Sequence, residues 1–76
     1  MKEEKIELLG LPIWNVKQVM AYSGVKSRTT ASKIKSRATK DFNGSVPYGS
    51  QYVKRDAVLS LFGTDVKTEM NKLTEN

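Results

Sequence analysis

Two helix signals follow one another across a gap of only a few residues in this chain, and that closeness constrains its fold more than any other feature. Asn15 is suited to cap a helix, and Gln18 sits three positions on, where a capping box needs its second member. Val16, Val19, Met20 and Ser23 then recur at the spacing of one helical face, and Gly24 offers a left-handed end. After two more residues Ser27 supplies a second cap, followed by Ala31, Ile34 and Ala38 at i, i+3 and i+7. The spacing predicts helices over about 15–23 and 28–39. Their junction has the layout of a helix-turn-helix, although an ordinary αα-hairpin shows the same pattern.

The second of these helices has two chemically distinct sides. With Ala31 at zero on a wheel of about 100° per residue, Ile34 and Ala38 fall within about 60° of it. Thr29, Ser32, Lys33, Ser36 and Lys40 lie on the other side. A merely solvated face usually mixes Glu with Lys, yet residues 26–40 contain no acid. Short hydroxyl side chains among the cations let a helix approach phosphates closely, which favours nucleic-acid contact over a neutral scaffold role. The charge distribution agrees. From Lys17 to Arg55 nine basic residues face one acid, Asp41, which is +8; residues 1–16 carry −1 and 56–76 carry −2, for a net charge of +5. So concentrated an excess suits a polyanionic partner.

Composition removes most competing chemistries. The 76 residues leave room for one small domain with little core. Without cysteine there is no disulfide framework and no thiolate; without histidine the usual zinc sites, triads and general bases have lost their parts. Asp41 and Asp56, the acids nearest the basic region, are each flanked by turn or cap signals, so no enzyme, cofactor or metal site is expected. No apolar run approaches a membrane span and Met1 to Lys5 does not lead into a signal-peptide core, so a soluble cytoplasmic protein with no membrane role is expected.

The remaining segments complete a mainly α fold with a small β-hairpin. In the leader 1–11, Ile6, Leu8 and Leu9 are enough for one short turn of helix or a strand docked on the core, before Gly10 to Pro12 interrupts it. Trp14 is placed to pack as part of a hydrophobic staple. Asn43-Gly44 is a strong hairpin signal, and an irregular hairpin is expected with about 42–46 pairing to 50–53, serving either as a wing or as a plain connector. A third core helix is expected over about 54–62, with Asp56 in its first turn and Ala57, Val58, Leu61 and Phe62 on its buried face, ending at Gly63. Thr64 or Asp65 then caps a C-terminal segment with Val66, Met70 and Leu73 on one side and a frayed end at 74–76. Trp14, Tyr22, Tyr52 and Phe62 are expected in the core, with Phe42 and Tyr48 open. The domain proper is 12–63, flanked by the leader and the tail 64–76.

The run from Trp14 through Tyr22-Ser23-Gly24-Val25-Lys26-Ser27-Arg28 to Thr30, then a hairpin, then Tyr52-Val53-Lys54-Arg55-Asp56 to Phe62-Gly63, resembles the small excisionase group of MerR-like winged-helix proteins. The likeness covers about fifty residues; residues 39–51 are longer and richer in Gly and Pro than a compact wing needs, and the leader has no counterpart. The resemblance implies a winged helix-turn-helix protein of a phage or integrative element that binds repeated double-stranded DNA sites cooperatively, bends DNA and biases an integrase toward excision, or represses a promoter. By this resemblance Arg28, Thr29, Ser32, Lys33 and Ser36 would lie on the recognition helix, with Arg37 and Lys40 as phosphate clamps. Lys26 would lie in the turn, Ser50 and Gln51 on the wing, and Lys54 and Arg55 against the DNA backbone where the third helix begins. A different class of function, a non-catalytic interaction adaptor or inhibitor, would work through the Val66, Met70, Leu73 stripe. An RNA-binding role is weaker, lacking an aromatic sheet platform.

Overall fold

The two expected helix caps, Asn15 and Ser27, form as their residue types dictate. A computed structural model, describing residues 2–47 and 51–75, gives Asn15 and Gln18 reciprocal bonds: Gln18 N donates to Asn15 Oδ1 at 3.0 Å and Asn15 N to Gln18 Oε1 at 2.8 Å. Among the described residues the order is α1 (Lys2–Leu9), β1 (Ile13–Trp14), α2 (Val16–Ser23), α3 (Arg28–Asp41), β2 (Val53–Lys54), α4 (Arg55–Leu61) and α5 (Val66–Thr74). As expected, the chain is mainly helical with a small antiparallel β element. Gly24 closes α2 at φ 78°, and Ser27 opens α3 by accepting from Thr30 N at 3.3 Å. No helix among the described residues is long and apolar enough to cross a membrane.

The hairpin expected at 42–46 and 50–53 is the main correction. Asn43-Gly44 ends α3 instead of turning a hairpin: Asn43 adopts φ 55°, and the N–H groups of Phe42 and Gly44 both donate to Ala38 O, at 3.1 and 3.2 Å. Asn tolerates this left-handed conformation, which serves helix ends as well as hairpins. No strand forms over 42–46; that segment meets β2 through Lys54 N donating to Gly44 O at 2.8 Å. The ladder partner of β2 is β1, antiparallel, with Ile13 opposite Lys54 and Trp14 opposite Val53. Burial explains the choice. A Cβ on Gly44 would stand 2.7 Å from Val53 Cγ2, 2.9 Å from Ala57 Cβ and 3.0 Å from Ala38 O, so only a bare backbone fits there. The expected positions Tyr48 and Ser50 lie outside the described residues.

The leader forms more structure than expected. It is a two-turn helix with Glu3 and Glu4 in its first turn, where the helix dipole favours acids. Leu8 and Leu9 are buried in the same core as Trp14, Val19, Ala31 and Val58. Trp14 has no exposed surface, and its indole Nε1 donates to Leu8 O at 2.8 Å, satisfying the one polar atom that so large an apolar side chain carries inward. Val66, Met70 and Leu73 of α5 pack against this core, as do Val16, Met20 and Ile34.

In α4 the buried residues are Ala57, Val58 and Leu59, with Leu61 partly buried, while Phe62 is 42% exposed. The expected core placement of Phe62 fails because the helix stops at Leu61 and the chain reverses at Gly63, φ 79°, leaving Phe62 outside the turn. Tyr52 is half-buried beside a cleft, and Phe42 is exposed. Of the two candidate caps for α5, Asp65 does the work, accepting from Thr68 N at 2.7 Å.

Candidate nucleic-acid interface

The rotation of α3 decides which of its side chains reach solvent. Ala31 and Ala38 have no exposed surface, and small side chains there let the helix sit close to α2 and α4. Arg28, Thr29, Lys33, Ser36, Arg37 and Lys40 are consequently exposed, and Ser32 is half-buried at the margin. At about 1.5 Å per residue the helix presents this surface over about 21 Å. The acid at its end, Asp41, lies 3.9 Å from Arg37 in a solvent-exposed i,i+4 pair, an arrangement too weak to hold Arg37 against a stronger anion.

Beside this face runs a depression that local sequence does not announce. Two clefts, of about 490 and about 360 Å3, share Lys35 and Tyr52 in their walls. One continues along Ser36, Thr39, Ser45 and Pro47; the other reaches Arg28, Gln51, and Asn15 and Lys17 at the start of α2. Lys17, Arg28 and Lys35 are thus brought together from two helices. Lys35 and Lys17 are not among the residues expected from sequence. On the wheel Lys35 lies about 40° from buried Ala31 and reads as core rim, and nothing near Lys17 in sequence indicates that Gln51 and Tyr52 lie beside it.

No family model, curated protein or solved structure matches the chain. What its surface can do therefore rests on the side chains themselves. The remaining expected site residues divide. Lys26 is exposed in the turn and Gln51 is exposed at the mouth of the smaller cleft. Lys54 and Arg55 line a third cleft with Pro12, Pro47 and Asp56, on the other side of the Val46–Pro47 segment. Arg55 is turned inward: its Nη1 donates to Leu9 O at 2.5 Å, and its Nε lies 3.2 Å from Asp56 Oδ1. It ties the end of α1 to the start of α4 and does not join the α3 face.

Two perturbed titrations lie in a cluster that links α2 to α5, while the Asp65 carboxyl is held below its ordinary value by the bonds to Thr68 with which it caps α5. Tyr22 OH donates to Glu69 Oε1 at 2.5 Å, while Thr64 Oγ1 and Lys72 Nζ donate to Glu69 Oε2 at 2.9 and 3.3 Å. Chiefly through the Tyr22 bond, and with Thr64 and Lys72, the Glu69 carboxyl is held below its ordinary value. Burial first, then the neighbouring Glu69, pushes the Tyr22 phenol far above its usual value. Lys5 Nζ sits 5.6 Å from the centre of the Tyr22 ring. The Tyr22–Glu69 bond joins α2 to α5, while Thr64 and Lys72 hold the Glu69 carboxylate in place from its own segment.

Proposed function

We propose that this chain is a winged helix-turn-helix protein that binds double-stranded DNA without catalytic chemistry, acting as an excisionase or small transcriptional regulator of a mobile element. The observation that carries the reading is the outward side of α3, where Arg28, Lys33, Arg37 and Lys40 stand exposed with Thr29 and Ser36 between them. A B-DNA major groove about 12 Å wide admits one helix, and cations interspersed with hydroxyls serve both phosphate oxygens and base edges. In this role α2 and α3 are the two helices of the motif, α3 reads the groove from its N-terminal end, and the segment between α3 and β2 takes the place of the wing. Lys26 in the turn and Gln51 beside the cleft flank the same surface. The resemblance to small excisionases adds the mobile-element setting, the repeated sites with self-association on DNA, and an integrase partner.

The stripe that an interaction adaptor would use, Val66, Met70 and Leu73, is packed against the core, which leaves less of it for a partner. Selection from a random duplex pool tests the DNA reading directly, and enrichment of a defined duplex sequence is expected. Arg28→Ala combined with Lys33→Ala is expected to weaken that duplex at least roughly thirtyfold, since each base-edge contact contributes about 1–3 kcal/mol. Far-UV circular dichroism and melting should stay as they are, because both side chains are exposed. Unchanged affinity in this folded double variant would refute recognition through α3.

A further inference from the structure

Asn43 precedes Gly44, whereas Asn15 and Asn71 precede Val16 and Lys72. Asparagine is a thermolabile residue, and it reacts most readily before glycine, where no Cβ crowds the following backbone nitrogen as it approaches the carboxamide. That nitrogen, here of Gly44, loses its proton to base and attacks Asn43 Cγ; the side-chain nitrogen leaves as ammonia and a cyclic imide remains. Water then opens the ring. Attack at the side-chain carbonyl gives aspartate, and attack at the main-chain carbonyl gives isoaspartate, whose backbone is longer by one carbon.

The fold withholds the nucleophile. Asn43 is exposed, but Gly44 is buried, its N–H donates to Ala38 O at 3.2 Å and its carbonyl accepts from Lys54 N at 2.8 Å. Ring closure needs the Gly44 nitrogen freed from Ala38 and turned toward the Asn43 side chain, so the end of α3 must first leave β2. The product then meets a seat without slack. A Cβ on Gly44 would stand 2.7 Å from Val53 Cγ2 and 2.9 Å from Ala57 Cβ, and an isoaspartate inserts its extra carbon into the chain immediately before this point. We propose that Asn43 is a self-modification site held closed by the native fold: each deamidation records an opening of the end of α3, and its isoaspartyl product keeps that end from reseating. The site depends on the seat of Gly44 and not on what α3 binds.

The full chain is incubated in mildly alkaline buffer with and without denaturing urea, and conversion at Asn43 is followed by peptide mass spectrometry and by chromatographic separation of the two acidic products. In urea Asn43 is expected to convert, with isoaspartate the larger product and ammonia released alongside. In the folded chain conversion is expected to be at least roughly tenfold slower, being scaled by the fraction of time the terminus is open. Asn43→Gln, whose longer side chain must close a larger ring, is expected to stop conversion at this position in urea. Asn43→Asp supplies the new charge without the extra backbone carbon. The isoaspartyl chain, returned from urea to buffer, is expected to melt at a lower temperature than Asn43→Asp and to exchange the Gly44 amide proton faster. Equal conversion rates in buffer and urea overturn the protection by the fold. Melting and exchange equal to those of Asn43→Asp overturn the failure to reseat, and no conversion in urea overturns the site itself.

Discussion

Gly44 shows how much one missing side chain can decide. Its backbone lies where a Cβ would come within 2.7 Å of Val53 and 2.9 Å of Ala57, so the end of α3 passes directly over β2 and α4. Gly44→Ala is expected to destabilise the fold by about 1–3 kcal/mol through overpacking, read as a lower urea midpoint with helix content retained. Gly24, with open space around its Cβ position, tests the opposite case: strain at φ 78° is its whole cost. Local residue chemistry was readable here only where it acts on near neighbours. Asn15 with Gln18, Ser27 and Gly24 all did what their types and spacings predict, because caps need partners three or four residues away. Asn43-Gly44 was legible as a reversal but not as which reversal, since the deciding contacts come from Val53 and Ala57.

Among the elements, α1 and α5 lean on each other. Eight- and nine-residue helices are marginal alone in water, and these two pack against one another and on the shared core. Chain ending at Gly63 would take away Val66, Met70 and Leu73 and the Glu69 partner of Tyr22. Loss of helix signal is expected to exceed what α5 alone accounts for, because α1 unravels as well; circular dichroism of the shortened chain measures it. Only one short turn of helix, or a strand, was legible for α1 in its own sequence, since Leu8 and Leu9 acquire partners only through the tertiary fold. By contrast α2, α3 and α4 lie within a residue or two of the expected ranges, each carrying an apolar face and an end signal of its own. The outer face of α3 was readable from its periodicity, whereas the clefts beside it are walled by Ser45, Pro47, Gln51 and Tyr52, distant in sequence, and leave no local trace.

At the scale of the whole molecule, acid should weaken the fold in two coupled ways. The Glu69 carboxyl is held low in the folded chain by Tyr22, Thr64 and Lys72. Its contribution to stability is therefore present above the unfolded value of about 4.3 and disappears as pH falls through the lower folded value. Protonating the other acids over the same range raises a net charge that is already +5 and adds self-repulsion. Glu69→Gln is expected to lower the urea midpoint at neutral pH and to flatten its decline between about pH 5 and pH 3; an unchanged decline would mean that Glu69 contributes nothing to acid sensitivity. For Tyr22 the sign is reversed. Its raised phenol value favours the folded state below about pH 10, and that contribution is lost as pH rises further.

The β1–β2 ribbon also bears on how the chain comes together in time. Trp14 and Val53 pair across about half of the sequence, so closing that loop carries a large entropy cost before any ladder bond forms. The junction between α2 and α3 needs only near neighbours, and contacts of that kind assemble fastest. The helix pair thus has its turn and caps in place early, while the strip of backbone that seats Gly44 and walls the cleft is the late step, closed only when the two distant ends of the domain meet.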